Sequence, residues 1–286
     1  PSGPLHFGSL IAALASFLDA RAHNGRWLVR IEDLDPPRCV PGAADTILRQ
    51  LEAHGLEWDG EVIHQSTRTE AYREALKTLR RLGLAYPCTC SRSEIRAQAT
   101  RQGRDGPIYP GTCRMRPPMP GRQHAMRLDT RGAVIDFTDR LHGRIRQDIG
   151  NDLGDFVIWR VEGIASYHLA VVVDDAWQGV THVVRGADLL DSTPRQILLQ
   201  RLLALPSPRY LHVPLALAAN GQKLSKQNLA PALALETSAR ELVRALHFLG
   251  QSPEPGLEKA RPQEIVAWAI PHWRLEAIPT EDRTIS

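Results

Sequence analysis

The fold is decided by the stretch Pro1-Ser-Gly-Pro-Leu-His-Phe-Gly-Ser-Leu10. A turn rich in proline and glycine runs directly into a helical pattern, whose apolar positions are Leu10, Ile11, Leu14, Phe17 and Leu18. The free N–H groups and the positive end of the helix dipole favour a phosphate group at this end of the helix, and His6 can add a donor. Gly8 allows a flat ring to lie against the backbone. Taken alone, the stretch does not establish a nucleotide site, because an ordinary turn before a helix has the same pattern.

A second polar stretch, Lys223-Leu-Ser-Lys226, lies far downstream between Asn220-Gly221 and Gln227-Asn228. Its two lysines could fold over a triphosphate as part of a mobile loop, although a solvated loop with two lysines has the same composition. Together the two stretches resemble the HIGH and KMSKS signatures of class I aminoacyl-tRNA synthetases. In this comparison Ser9 stands in place of the second His and Leu224 in place of Met.

The resemblance implies the use of ATP with Mg²⁺. It assigns ATP binding to His6, Gly8, Ser9 and Lys226, and catalysis to His6, Lys223 and Lys226. Positioned cations suit this role, because negative charge grows on the leaving pyrophosphate. The sequence does not identify a protein ligand for the magnesium ion.

Length and composition indicate an ordinary globular protein. The 286 residues, 43% of them hydrophobic, suffice for one large domain or two. The net charge of +3 is a weak indication of a polyanionic partner, but arginines cluster in 92–104, 114–122 and 140–146, which favours a basic face. No apolar run approaches the roughly 20 residues of a membrane span, and no signal peptide is visible. We therefore expect a soluble, cytoplasmic protein without a membrane partner.

Helical and strand patterns alternate along the chain. The patterns predict helices over about 41–54, 67–82, 192–205, 238–249 and 262–270, and strands over about 27–31, 133–137, 143–149, 155–159, 166–173, 179–188 and 210–217. Ser91-Arg-Ser-Glu94 has the pattern of a capping box and predicts a further short helix just after Cys90. The run Leu169 to Val173 is expected to be a fully buried strand that delivers Asp174 and Asp175 to its end. Alternation of this kind predicts an α/β fold with a parallel, doubly wound sheet.

Carboxylates follow the first predicted strand, at the edge where open α/β sheets bind ligands. An acidic strand end is often only a loop, but the whole run Arg30-Ile-Glu-Asp-Leu-Asp35 resembles the RIEDTD stretch of glutamyl-tRNA synthetases. In that family the residue matching Glu32 helps to hold the amino group of the substrate, as a carboxylate suits an ammonium group. Arg185 and Tyr167 match the substrate arginine and tyrosine of the same family, although a lone arginine at a strand end commonly pairs with a surface carboxylate. A guanidinium group binds a carboxylate bidentately, so the resemblance implies L-glutamate rather than glutamine.

Three cysteines, Cys88, Cys90 and Cys113, lie in one short segment with little core of its own. In a cytoplasmic protein this favours a metal over disulfides, with reduced and unligated thiols as the alternative. Structural zinc requires four ligands, and ligand chemistry alone favours His124 as the fourth. Cys39 has no partner nearby in the sequence and is expected to be incidental.

The short paralogues of glutamyl-tRNA synthetase, the glutamyl-Q tRNA(Asp) synthetases, imply a different fourth ligand. In that family a Cys-x-Cys pair is completed by a tyrosine and a cysteine with the spacing of Tyr109 and Cys113. The resemblance therefore implies one structural Zn²⁺ on Cys88, Cys90, Tyr109 and Cys113. His124 remains the alternative fourth ligand.

The resemblance to this family covers nearly the whole chain and divides it into four parts. It implies a Rossmann-like class I synthetase catalytic core formed by residues 1–85 and 124–220, a zinc-binding insert at 86–123, and a KLSK loop with a short helical C-terminal segment at 221–286. The residues after the lysine signature predict two helices, with Trp268 and Trp273 as packing residues. An anticodon-binding domain needs on the order of 100 residues, so we do not expect one in this segment.

The family implies ATP-dependent activation of glutamate and its transfer to the queuosine base at the wobble position of tRNA(Asp). It further implies a monomer that receives the anticodon loop at its catalytic face. Two alternatives remain open: a truncated glutamyl-tRNA synthetase that charges a tRNA 3′ end, and a non-catalytic paralogue that binds zinc or RNA. The presence of His6, Gly8, Lys223 and Lys226 disfavours the second alternative.

Overall fold

The structure is a computed structural model that describes residues 1–103, 106–116, 121–224 and 231–285. Its α-helices are α1 (Phe7–Ala22), α2 (Ala43–Ala53), α3 (Thr69–Arg81), α4 (Arg92–Gln98), α5 (Ile149–Asp152), α6 (Tyr167–Gln178), α7 (Thr193–Leu202), α8 (Ser238–Phe248) and α9 (Pro262–His272). Its strands are β1 (Arg30–Ile31), β2 (Ile63–His64), β3 (Ala85–Cys88), β4 (Gln102–Gly103), β5 (Gly106–Pro107), β6 (Ala125–Leu128), β7 (Val134–Asp139), β8 (Gly143–Asp148), β9 (Val157–Trp159), β10 (His182–Gly186), β11 (Arg209–Val213), β12 (Ala216–Leu217) and β13 (Arg283–Thr284). None of the helices in these ranges combines the length and the apolar character needed to cross a bilayer.

Helix α1 is the centre of the larger hydrophobic core. It begins directly after His6, as the sequence predicts, and its buried side chains include Phe7, Leu10, Ile11, Leu14, Phe17 and Leu18. These side chains pack against β10 and the C-terminal helices α8 and α9. Each large apolar side chain contributes roughly 1.5–3 kcal/mol when it is removed from water, so the burial of this face strongly favours one position of α1. Trp268 and Trp273, predicted as packing residues, lie half-buried against the same core.

The largest sheet in the described ranges has the strand order β10-β11-β7-β8. Strands β10 and β11 are parallel from the pair His182↔Arg209 to the pair Gly186↔Val213, and β11 is parallel to β7. Strand β8 is antiparallel to β7, because the short turn that joins them cannot carry the chain back to the starting edge. The predicted doubly wound sheet is therefore present in part. Its parallel pairs are observed, and the β7–β8 hairpin adds an antiparallel edge.

The apolar run 169–173 is helical, and the strand predicted for it is wrong. The run lies in α6, where Ser166 caps the first turn with its side chain and Gly179 ends the helix with a φ of 68°. A continuous apolar run does not distinguish a buried strand from a buried helix. The capping serine and the glycine, which tolerates this left-handed conformation, are the local signals that favour the helix. Asp174 and Asp175 therefore lie within α6 rather than beyond the end of a strand.

Asp174 joins α6 to α3 in the second hydrophobic core. Its fully buried carboxylate accepts hydrogen bonds from Arg68 Nε at 2.6 Å, Tyr72 Oη at 2.7 Å and Gln65 Nε2 at 2.8 Å. Burial and the hydrogen bond to this carboxylate raise the pKa of Tyr72, so the phenol remains a donor. One carboxylate thus satisfies three donors and holds α3 and the turn before it against α6.

A small antiparallel sheet leads the chain into and out of the cysteine segment. Strand β6 pairs with β3 on one side and with β9 on the other. Helix α4 follows, and its predicted capping box is present: the Ser91 hydroxyl accepts from the Glu94 N–H at 3.2 Å, and the Glu94 carboxylate accepts from the Ser91 N–H at 2.6 Å. The cysteines therefore lie in or beside short elements, β3 and α4, which strand pairing and helix capping hold in place.

We expect Asp174→Ala to lower the free energy of unfolding by about 3–5 kcal/mol, because it leaves the largely buried Arg68 guanidinium without its carboxylate. Glu70→Ala on α3 removes an exposed carboxylate and should change the free energy by no more than about 0.5 kcal/mol. Urea unfolding of the two variants measures the difference. A loss below about 1 kcal/mol for Asp174→Ala would mean that apolar packing alone holds α3 against α6.

Candidate active site

The N-terminus of α1 is capped by His6 itself. Its Nδ1 accepts a hydrogen bond from the Ser9 backbone N–H at 3.3 Å. In the neutral ring the other nitrogen, Nε2, then carries the proton and is the donor. The cap therefore orients the residue that the sequence analysis assigns to ATP binding.

Gly8 is required by the position of the His6 ring. A Cβ atom at Gly8 would lie 3.2 Å from Cε1 and 3.3 Å from Nδ1 of His6, which is closer than ordinary van der Waals contact. The flat ring expected to lie against this glycine is thus, in this structure, the ring of His6. The carbonyl oxygen of Leu224 lies 3.7 Å from the same Cβ position, so the lysine stretch also approaches Gly8.

The two sequence signatures meet at one cavity of about 170 Å³. His6, Gly8 and Ser9 line it on one side and Lys223 on another. The remaining wall comes largely from the carboxyl ends of β10 and β11, where open α/β sheets bind ligands. The Lys223 ammonium group lies 2.5 Å from the carboxylate of Asp188, which follows β10 and also lines the cavity.

Two residues of the lysine signature, Ser225 and Lys226, lie outside the described residues. The roles assigned to Lys226 in ATP binding and catalysis therefore stay predictions. Leu224, directly before them, and Ala232, which pairs with His6, are described, and both approach the N-terminal signature.

Gln50, which the sequence does not mark as a site residue, connects the N-terminal signature at Leu5 to the distant residue Leu233. Its Oε1 accepts a hydrogen bond from the Leu5 N–H at 2.7 Å, and its Nε2 donates to the Leu233 carbonyl at 2.8 Å. The Leu233 N–H in turn donates to the Leu5 carbonyl at 2.9 Å. Gln50 lies on α2 and is only 3% exposed. No sequence pattern marks a buried glutamine before its distant partners are known.

Arg185 and Tyr167, predicted to bind an amino acid side chain, are neighbours. Arg185 lies near the end of β10, and its Nη1 is 3.4 Å from Tyr167 Oη in the first turn of α6. The next residue, Gly186, lines the cavity between the two signatures, so this pair adjoins that cavity. The sequence analysis missed the side chains that hold the guanidinium group, which are those of Thr193, Gln196 and His212. Spacing places two of them on one face of a helix, but nothing in the sequence shows that Arg185 faces it.

Glu32 lies at a second cavity of about 440 Å³, which Tyr167 also lines. Arg30 Nη2 lies 3.3 Å from the Glu32 carboxylate and 2.9 Å from that of Asp175, which is buried on α6. Burial raises the pKa of Asp175, and the guanidinium groups of Arg30 and Arg185 lower it. Protein also crowds around Glu32, which raises the pKa of its carboxyl group although the side chain is 39% exposed. Charges that alternate in sign around Tyr167 suit a ligand with ammonium and carboxylate groups.

The cysteine segment brings its three thiols together. The Sγ atoms of Cys88, Cys90 and Cys113 lie within 4.8 Å of one another. Tyr109 Oη lies 3.4 Å from Cys88 Sγ and 3.8 Å from Cys90 Sγ, and it accepts a hydrogen bond from the Cys113 N–H at 2.9 Å. His124 is exposed and is not part of this cluster. Four ligands about 2.3 Å from a tetrahedral zinc ion are about 3.8 Å apart, so the spacing of these atoms fits zinc.

The sequence is similar to known proteins over almost its full length. Residues 1–266 match the family described as tRNA synthetases class I (E and Q), catalytic domain. A protein of Thiobacillus denitrificans named glutamyl-Q tRNA(Asp) synthetase is 54% identical over 280 residues, which are 98% of this chain and 93% of that protein. A protein of the same name from Dechloromonas aromatica is 54% identical over 282 residues, or 98% of this chain and 94% of that protein.

The fold is similar to that of a solved glutamate tRNA ligase from Elizabethkingia meningosepticum, determined in complex with its amino acid. The TM-score is 0.80 at 25% sequence identity, and the match covers 100% of this chain. This chain spans 65% of the length of that ligase. The similarity is therefore closer and more complete to the proteins of the first group than to the longer ligase.

We expect Gly8→Ala to weaken ATP binding at least about tenfold, because the new Cβ displaces the His6 ring from the helix N-terminus. The stability of the ligand-free protein should change by less than about 1 kcal/mol, since the higher helix propensity of alanine offsets the contact. Ala13→Gly, on the same helix but outside the cavity, should lose about 1 kcal/mol or more and keep its ATP affinity. Calorimetric titration with ATP and thermal unfolding measure the two properties. Unchanged ATP affinity in Gly8→Ala would remove the contact between His6 and Gly8 from the nucleotide site.

Proposed function

The chain belongs to the class I tRNA synthetases of the E and Q type, and from this premise we propose that it activates L-glutamate with ATP and transfers it to the queuosine base of tRNA(Asp). It is thus a ligase of the aminoacyl-tRNA synthetase type. The relatives that it matches over 93% and 94% of their lengths are named for this activity. Within the structure, the proposal is carried by the position of Arg185 and Tyr167 next to the cavity that both signatures line.

In the first step, an α-carboxylate oxygen of glutamate attacks the α-phosphorus of ATP, and pyrophosphate leaves. Negative charge grows on the leaving group, so positioned cations and N–H donors are the main catalytic device. We assign this role to His6, Lys223 and Lys226, with Gly8 and Ser9 binding the nucleotide. Mg²⁺ accompanies ATP in this proposal.

Glutamate is held by charges at both of its ends. Glu32 binds the ammonium group, while Arg185 and Tyr167 bind the side-chain carboxylate. Glutamine would place an NH₂ group against a guanidinium group that can only donate, and the donors would be left mispaired. The alternation of charges around Tyr167 supports this assignment.

In the second step, a hydroxyl oxygen of the queuosine cyclopentene-diol attacks the carbonyl carbon of the glutamyl-adenylate. An ester bond forms and AMP leaves. The diol resembles the ribose cis-diol of a tRNA 3′ end, so the same transfer chemistry applies to both acceptors.

We propose that the anticodon loop comes to the catalytic face of a monomer in the cytoplasm. Single-stranded loops are recognised by splayed bases and by basic surfaces that contact phosphates. Exposed arginines near the cysteine segment offer such a surface, namely Arg92, Arg96, Arg116 and Arg122. The two alternatives have less support. A 3′-end-charging synthetase does not match the name of the relatives, and a non-catalytic paralogue does not explain why His6, Gly8 and Lys223 line one cavity.

We expect an anticodon stem-loop of tRNA(Asp) that carries queuosine, with no acceptor stem, to become glutamylated. The same stem-loop with guanine at the wobble position should accept no glutamate, because it lacks the diol. Incorporation of labelled glutamate measures both. A requirement for an intact 3′ CCA end together with indifference to the wobble base would favour the truncated synthetase. Absence of glutamate-dependent exchange of labelled pyrophosphate into ATP would favour the non-catalytic paralogue.

We further infer that Cys88, Cys90, Tyr109 and Cys113 hold one structural Zn²⁺. The spacing of their ligand atoms supports this assignment. Four protein ligands leave no open position for a substrate, so the ion stabilises the segment and takes no part in catalysis.

Metal analysis of protein that has not been exposed to chelators should give one zinc ion per chain. Tyr109→Phe should lose zinc to a chromophoric chelator at least about tenfold faster than the wild type, because one of four ligands is missing. His124→Ala, which removes an exposed imidazole, should retain zinc as the wild type does. The opposite pair of results would make His124 the fourth ligand, and well under one zinc ion in the wild type would contradict the site as a whole.

A further inference from the structure

Arg185 has only one end of its guanidinium group available for a ligand. Its Nε donates to His212 Nε2 at 3.1 Å, and its Nη2 donates to Thr193 Oγ1 at 2.8 Å and to Gln196 Oε1 at 2.7 Å. Among the described residues, Nη1 makes only a long contact of 3.4 Å to Tyr167 Oη. The bidentate grip expected from the sequence would require the partners of Nη2 to be displaced. A carboxylate therefore meets Nη1 and the tyrosine hydroxyl.

His212 can accept a hydrogen bond from Arg185 because Asp139 fixes its tautomer. Both residues are buried, and His212 Nδ1 lies 2.7 Å from Asp139 Oδ2. The carboxylate also accepts hydrogen bonds from the backbone N–H groups of Leu141 and His142, each at 3.0 Å. An acceptor-only carboxylate places the imidazole proton on Nδ1. Nε2 then presents its lone pair to a guanidinium N–H, which can only donate.

A second proton on His212 would break this arrangement, because an Nε2–H would face the Nε–H of Arg185 and two positive charges would be in contact. Within the described residues, the groups that face the imidazole are Asp139 on β7, Arg185 on β10, Thr193 at the start of α7 and the ring of Tyr210 on β11. His142, in the turn after β7, contacts the backbone carbonyl of His212 and lowers the pKa of the imidazole slightly. Burial lowers the pKa of His212, the hydrogen bond to Asp139 raises it, and the charge of Arg185 lowers it again. The pKa of His212 therefore lies below its usual value. The imidazole is therefore neutral at neutral pH and gains its second proton only in acid.

We propose that Asp139 and His212 are positioning residues, which hold Arg185 so that Nη1 meets the side-chain carboxylate of glutamate beside the Tyr167 hydroxyl. Acid that protonates His212 consequently weakens the binding of glutamate without weakening that of ATP. The inference rests on the proposed function in one respect, that glutamate is the ligand of Arg185. A purely structural role of the pair would instead lower stability and affect both substrates alike.

Three variants separate the positioning role from a structural one. His212→Gln retains an acceptor oxygen near the position of Nε2 and does not titrate. His212→Asn reaches only the position of Nδ1 and leaves Arg185 Nε without an acceptor. His247→Gln, at an exposed position of α8, is the matched control.

The KM values for glutamate and ATP are measured by glutamate-dependent pyrophosphate exchange from about pH 8 to about pH 5.5, the range in which histidine titrates. Calorimetric titration with glutamate alone gives the affinity independently of the reaction. At about pH 7.5 we expect His212→Asn to raise the KM for glutamate about tenfold or more, and that for ATP less than about threefold. The KM for glutamate should rise as the pH falls below about 6.5 in the wild type and in His247→Gln, but not in His212→Gln.

Equal changes in both KM values, or a change confined to the midpoint of thermal unfolding, would overturn the proposal. A wild-type pH dependence in His212→Gln would overturn it as well. If His212→Asn does not fold, the comparison of the wild type with His212→Gln decides. Absence of exchange in the wild type would contradict the proposed function instead, and the calorimetric affinities of the same proteins would still test the positioning role.

Discussion

The rest of the structure depends on the burial of the apolar face of α1. Phe7, Leu10 and Leu14 belong to the face of α1 that lies against β10 and the C-terminal helices, so a rotation or shift of α1 would expose several large side chains at once. Because a helix is rigid along its length, fixing this face also fixes its first turn. His6 and Gly8 are thereby held at the carboxyl ends of β10 and β11. The geometry of this cavity is thus a consequence of the packing of the apolar face of α1.

Buried carboxylates fix how the elements around this core are placed. The carboxylate of Asp19 on α1 accepts hydrogen bonds from both terminal nitrogens of Arg140, at 2.6 and 2.9 Å. These bonds connect the helix to the turn between β7 and β8. Asp155 accepts from Arg114 Nε at 2.7 Å and from the Tyr86 hydroxyl, which ties the cysteine segment to the core. Desolvation largely offsets the attraction within such pairs, so they add little net stability. They instead fix the relative positions of the elements that they join, because any shift that separates the two charges of a pair leaves one of them buried without its partner.

The sequence alone predicts those structural features whose informative residues are close together in the chain or follow a regular period. The position of α1, the capping box of α4 and the cluster of three cysteines were all predicted, because each depends on neighbours or on fixed spacing. Resemblance supplied the candidate site residues, and the structure brings Arg185 next to Tyr167. The strand predicted for the apolar run of α6 is wrong, since composition without periodicity fits a strand and a helix equally. Leu5, a partner of Gln50, and His212, a partner of Arg185, lie 45 and 27 residues away in the sequence, and hydrogen bonds over such separations depend on tertiary placement that no local pattern records.

The pairing of β3 with β6 also bears on how proteins of this kind can diverge. The chain leaves the core at Cys88 and returns at Ala125, and these two residues are directly opposite each other in the sheet. Both ends of the segment between them are held at this one pair, so the segment can lengthen or shorten without moving either strand. The closure entropy of such a segment grows only slowly with its length. Natural variation can therefore remodel this outer face while the position of α1 stays unchanged.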